Sequence, residues 1–137
     1  MKDKESRYLD LDDNSNIGLA AEASAGYGYS YVASLPVSNS FTQKDWSQFL
    51  HISERTIIRY REQNKKFDPL QTDRIILLNK LYNFGVEVFG NQTAFNEWIT
   101  HKSLALGGRT PKELLTTSFG INMVNDEIGR IAHGVLA

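Results

Sequence analysis

The chain has no cysteine and only three prolines among its 137 residues. Without cysteine there is no disulfide framework, no thiolate nucleophile and no cysteine-based zinc site, which suits a reducing cytosol. Long apolar runs are also missing: nothing approaches the roughly 18 residues of a membrane span. The opening Met1-Lys2-Asp3-Lys4-Glu5 is charged where a secretory signal would turn apolar. These absences predict a cytoplasmic protein with no membrane partner. Catalytic patterns are absent too. His51, His101 and His133 lack metal-ligand spacing and no Ser/His/Asp context surrounds them, so neither a catalytic nor a metal site is expected. Gly26-Tyr27-Gly28 lacks the third glycine of a dinucleotide loop, and Gly107-Gly108-Arg109 lacks the lysine-hydroxyl end of a phosphate loop. No cofactor is expected, and no enzyme.

The hydrophobic fraction of 41% beside 23% charged residues is that of a folded globular chain. A net charge of −1 conceals an uneven distribution. Residues 1–40 hold three basic side chains against six acidic ones, whereas residues 41–80 hold eight against five. The basic middle is the part suited to phosphates, although a solvated helix face of mixed charge explains the count equally well.

Helix punctuation is frequent, and it predicts an all-α fold. Residues 1–16 are polar and form a flexible acidic arm in this reading. Residues 17–33, rich in Ala, Gly and Tyr, suit one weak helix or two short ones interrupted at Gly26 and Gly28, followed by a loop over Leu35–Ser40. Thr42 with Asp45 forms a capping box for a helix over Gln43–Leu50, and Ser53 caps a second over Glu54–Glu62. Two short helices with so small a gap are a helix-turn-helix signal. Trp46, Leu50, Ile52, Ile57 and Tyr60 fall at the core positions and small Ser47 at the helix crossing. Ser53, Glu54, Arg55, Thr56, Ile58, Arg59 and Gln63 are left facing outward. Of these, Ser53, Arg55, Thr56, Arg59 and Gln63, with Lys65 and Lys66, are the candidate DNA-binding residues; a purely structural helical hairpin is the alternative. His51 stands where such a turn commonly has glycine, which implies strain or another turn type.

Asp68-Pro69-Leu70-Gln71 starts a long central helix that ends at Gly90. Its apolar residues, from Leu70 through Ile75, Leu78 and Tyr82 to Phe89, cover too wide an arc for packing on one side only. A short helix over Thr93–Ile99 follows. Thr110-Pro111-Lys112-Glu113 is a capping box for a helix carrying Leu114 and Leu115, and Ile121, Val124, Ile128 and Ile131 mark one stripe of a last helix over 121–132.

The stretch Leu104-Ala105-Leu106-Gly107-Gly108-Arg109-Thr110-Pro111-Lys112-Glu113-Leu114-Leu115-Thr116, then Gly120, Val124, Ile128-Gly129-Arg130-Ile131 and the closing His133-Gly134-Val135-Leu136-Ala137, resembles the toxin-binding domain of Xre-type antitoxins paired with RES-domain toxins. The resemblance reaches back through Glu87-Val88-Phe89-Gly90 and Asp73-Arg74 to the helix-turn-helix. It covers roughly residues 30–137 and leaves out the arm 1–16, a variable extension ahead of a helix-turn-helix domain 17–67 and a toxin-binding domain 68–137. It implies a bacterial antitoxin that neutralises a cognate RES-domain, NAD-consuming toxin, represses its own operon by binding operator DNA, and forms a homodimer within a larger toxin–antitoxin complex. Arg109, Arg130, His133, Gly134, Val135, Leu136 and Ala137 are the candidate toxin-binding residues. By chemistry alone, Val135 and Leu136 fit a tail that plugs a cleft or one that folds back on its own core, and Arg130 fits an exposed surface arginine or the partner of an anionic group. A stand-alone helix-turn-helix regulator and a protein-only neutraliser with a vestigial DNA-binding half are the rival readings.

Overall fold

The computed structural model describes residues 16–134; the tail residues Val135, Leu136 and Ala137 and the arm, except Asn16, lie outside them. The described residues are helical, with two isolated antiparallel bridges and no strand. Helix α1 covers residues 16–25, and α2, Tyr29–Ser34, follows after a break at Gly26–Gly28. Gly26 is needed at that break. It adopts a left-handed φ of 83°, and a Cβ there would lie 2.5 Å from the Phe67 carbonyl oxygen. Pro36–Asn39 forms a 3-10 turn where an open loop was expected, and Val37 in it is buried.

The predicted punctuation of the next three helices is present. Helix α3, Gln43–Leu50, begins with a complete Thr42–Asp45 capping box. Helix α4, Glu54–Gln63, is capped by Ser53, whose hydroxyl accepts from the Thr56 amide at 3.0 Å. Helix α5, Pro69–Phe89, opens with the Asp68–Gln71 box and closes at Gly90 with φ 95°. Helix α6, Gln92–Thr100, is capped by Asn91.

Helix α5 is central, touching α3, α6, the last helix α7 (Ser118–Gly134) and the Pro36–Asn39 turn. Its buried residues Thr72, Ile75, Ile76, Leu78, Leu81, Tyr82 and Gly85 reach around the helix, as the wide apolar arc requires. Leu70 departs from that expectation and is 74% exposed. The buried place in the first turn belongs to Thr72, about 200° around the helix from it. The Thr72 hydroxyl is spent on the segments that precede α2 and α5: it accepts from the Tyr27 amide at 3.0 Å and donates to the Phe67 carbonyl at 3.3 Å. One apolar cluster runs from Val32 through Phe41, Trp46 and Phe49 to Phe95, Leu115 and Ile128, so both halves share a core.

The C-terminal part is punctuated differently from the sequence reading. The Thr110–Glu113 capping box is present, but it opens a 3-10 segment, Pro111–Thr116, not an α-helix. Helix α7 then runs over Ser118–Gly134, starting three residues earlier than expected. Thr117 is the reason, since its hydroxyl accepts from the Gly120 amide at 3.0 Å as an N-cap does. Gly120 lets the chain double back, because a Cβ on it would sit 1.8 Å from the Leu114 carbonyl oxygen. Ile121, Val124 and Ile128 are buried in the expected stripe, with Ile131 half-buried.

Candidate functional site

The turn between α3 and α4 is built around His51, which holds the left-handed conformation at φ 56°, ψ 41°. That conformation costs a non-glycine residue roughly 1–2 kcal/mol. The ring offsets part of this cost, for its Nε2 donates to the Thr116 carbonyl at 2.6 Å in the matching tautomer. Ser47 fits the crossing as expected, and its hydroxyl donates to the Ile52 carbonyl at 2.7 Å. Trp46, Leu50, Ile57 and Tyr60 are buried and Ile52 is half-buried.

The outward face of α4 carries exposed Arg55, Arg59 and Gln63, with exposed Lys65 and Lys66 on the turn that follows. Ser53 and Thr56 differ from the others: Ser53 also donates to the Thr56 hydroxyl at 2.9 Å, so both are engaged in the cap, and Thr56 is half-buried. Ile58, expected to face outward, is half-buried as well. The basic turn is held from behind. Asn64, left-handed at φ 44°, accepts at its Oδ1 from the Ser30 amide and hydroxyl. The Lys65 carbonyl accepts from the Tyr29 amide, and the Phe67 amide donates to the Tyr27 carbonyl. The Lys65 ammonium stands 4.9 Å from the centroid of the Tyr60 ring. Tyr27 donates to Glu22 at 2.6 Å, and burial, reinforced by that carboxylate, pushes its ionisation well above the usual phenol range.

A polar junction ties this unit to the C-terminal segment. The Lys112 ammonium meets the Asp45 carboxylate at 2.9 Å, and that carboxylate also accepts from the Thr42 amide at 2.9 Å. Burial alone would raise the Asp45 pKa, but the Lys112 and Thr42 contacts outweigh it and hold the carboxyl below its ordinary value. Arg74 on α5 donates from one nitrogen to the Phe49 carbonyl at 3.4 Å and to the Thr116 carbonyl at 2.8 Å. Beside these contacts opens a cleft of about 930 Å³ lined by Lys44, Gln48, His51, Thr100, Lys112 and Glu113 among others. Asp45, expected only as a cap, is thus also a link between the two halves.

On the C-terminal side, residues 103–109 form a tight loop. It is closed by the Ser103 amide to the Arg109 carbonyl at 2.9 Å and turned by left-handed Gly107 and Gly108. Leu106 anchors the loop in the core, while Arg109 is exposed and Leu104 is 97% exposed. Arg130 does not stand free: its guanidinium pairs with buried Glu127 on the same helix at 2.8 Å, although most of its side chain remains exposed. His133 and Gly134 are exposed at the end of α7. Arg109 and Arg130 therefore come from separate elements, a loop and a helix. The sequence reading overlooked Phe119, 78% exposed, and Met123, 38% exposed, one turn apart on α7. Their spacing outside the Ile121–Val124–Ile128 stripe was the available signal. Among the described residues there is no His/Cys/Asp/Glu group able to hold a metal ion, and no helix is long and apolar enough to cross a membrane.

Comparison with known proteins places families on both halves. Residues 39–80 match the antitoxin Xre-like helix-turn-helix domain, and residues 85–134 match the antitoxin Xre/MbcA/ParS C-terminal toxin-binding domain. The chain is 32% identical over 87 residues to "Antitoxin Xre" of Yersinia enterocolitica serotype O:8 / biotype 1B (strain NCTC 13174 / 8081). That match spans 63% of this chain and 59% of the relative. With a match to an Xre-like helix-turn-helix domain ahead of a match to an Xre/MbcA/ParS toxin-binding domain, the chain is similar to the Xre-type antitoxins in both halves.

Proposed function

We propose that the protein acts in the bacterial cytoplasm as an antitoxin that neutralises a cognate RES-domain, NAD-consuming toxin by covering its active site, and that it represses its own operon by binding DNA as a homodimer. The DNA-facing half is 17–67 and the toxin-facing half 68–137, with α5 opening the latter and packing against both. The observation that carries the reading is the C-terminal unit itself. It matches a toxin-binding domain over 85–134 and exposes Leu104, Phe119 and Met123, large apolar side chains set on capped and hydrogen-bonded elements. Preorganised apolar groups of this kind bind a partner with little ordering cost. Arg109, His133, Gly134 and residues 135–137 complete the proposed contact, and Arg130 joins it only by sharing or leaving Glu127. Inhibition is steric and requires no chemistry from this chain.

Co-expression with the toxin tests the reading. The intact chain is expected to restore growth and co-purify with the toxin, and a chain ending at Ala132 is expected to lose rescue. Rescue by the shortened chain would move the inhibitory contact onto α7 and the 103–109 loop. A second reading, a protein-only neutraliser, is favoured by Glu54 and Glu62 among the exposed residues of α4, since carboxylates repel phosphates. Binding to the chain's own promoter that weakens steeply with salt would exclude it.

A further inference from the structure

We infer that Glu54, held by Gln43, is a base-reading residue that selects cytosine in the DNA site, an inference that rests on the proposed operator binding. Glu54 is the first residue of α4 and is exposed, at the helix end that in helix-turn-helix proteins approaches base edges in the major groove. Gln43, the first residue of α3, reaches across the motif and donates from Nε2 to Glu54 Oε1 at 3.3 Å. One carboxylate oxygen is thereby fixed and the other is left to accept.

The neighbouring side chains narrow the assignment. Ser53 and Thr56, the hydroxyls flanking Glu54, are occupied with each other and with the cap, so they are poorly placed to read bases. Arg55 and Arg59 are exposed on the same helix and supply the positive charge that a carboxylate needs beside phosphates. An ionised carboxylate only accepts hydrogen bonds. In the major groove cytosine presents an amino donor and no acceptor, whereas adenine sets the N7 acceptor beside its amino group and guanine and thymine offer acceptors alone. The chemistry of Glu54 therefore matches cytosine and disfavours the other three bases. A purely structural role also exists for an acidic residue in a first helical turn, through the helix dipole, but that role has no base preference.

The test is selection of binding sites from randomised duplexes by the full-length chain, with melting curves to confirm that each variant folds. Wild type is expected to enrich cytosine at one position per half-site. Glu54→Ala should flatten that position by roughly ten-fold and leave the others intact. Glu54→Gln, equal in length but able to donate as well as accept, should move the preference to adenine. Gln43→Ala should weaken the cytosine preference without replacing it. An unchanged preference in Glu54→Ala would overturn the assignment while leaving operator binding intact. If wild type enriches no sequence and binds without salt dependence, operator binding itself fails and this inference goes with it.

Discussion

Replacing Lys112 by Met tests whether the ion pair at the junction holds the two halves together. The substitution keeps the aliphatic stem and removes the ammonium 2.9 Å from Asp45. Asp45, with only 10% of its side chain exposed, would keep its Thr42 contacts and lose its counter-charge. Removing one partner of a fully buried pair costs about 3–5 kcal/mol. Lys112 is 33% exposed, so solvent screens the interaction and the expected loss falls to about 1–2 kcal/mol at pH 7. For a chain of this size that corresponds to a melting temperature lowered by roughly 3–8 °C. Because folding lowers the Asp45 pKa, this stabilisation is complete above about pH 4 and is lost as pH falls through the folded-state value. The gap between Lys112→Met and the parent should therefore narrow as pH falls below the ordinary aspartate range, where Asp45 takes up its proton. Asp45→Asn keeps an acceptor for the Thr42 amide, so a cycle of the two single variants and the double variant isolates the pair, with an expected coupling of about 1 kcal/mol. Additive losses within about 0.3 kcal/mol, or a gap that does not change with pH, would refute this account of the junction.

Five further substitutions test the packing. Gly120→Ala drives a Cβ against the Leu114 carbonyl and should cost at least about 3 kcal/mol, or prevent folding of the C-terminal unit, as read by urea denaturation. His51→Ala keeps the left-handed strain and loses the bond to Thr116, and should lie about 1–2 kcal/mol below the parent. His51→Gly relieves the strain and should stay within about 1 kcal/mol of it; a glycine variant less stable than the alanine one would contradict the backbone argument. Leu78→Ala, at a fully buried site on α5, should cost about 2–5 kcal/mol, whereas Leu70→Ala on the same helix should change stability by less than about 0.5 kcal/mol.

Helix ends were the most legible feature of the sequence because caps are local. The Thr42–Asp45, Ser53 and Asp68–Gln71 signals each specify hydrogen bonds within three residues, and each is present in the fold. The same locality explains the miss near α7. Thr117 is a sound cap, but the Thr110–Pro111–Glu113 box just before it was a stronger helix signal, and nothing in that box distinguishes a 3-10 segment from an α-helix. Leu70 was misplaced because periodicity identifies an apolar position without saying how far the neighbouring elements extend. The junction was not legible: Asp45 with Lys112, His51 with Thr116, and Arg74 with Phe49 and Thr116 meet across long stretches of sequence, with no motif to pair them. His51 looked like a flaw in the turn, and its long-range partner accounts for its presence there. On the candidate faces, sequence identified Arg55, Arg59 and Gln63 of α4 as outward-facing, but not that Ile58 is half-buried, that Ser53 and Thr56 are engaged by the cap or that Arg130 is paired with Glu127.

NAD turnover by the purified cognate toxin, measured against increasing amounts of the intact chain, bears most directly on what the C-terminal half does. Consumption should fall to background once the chain is present in stoichiometric amount. Turnover that continues undiminished in excess of the chain, with both proteins folded, would contradict the proposal that this domain closes the toxin's active site.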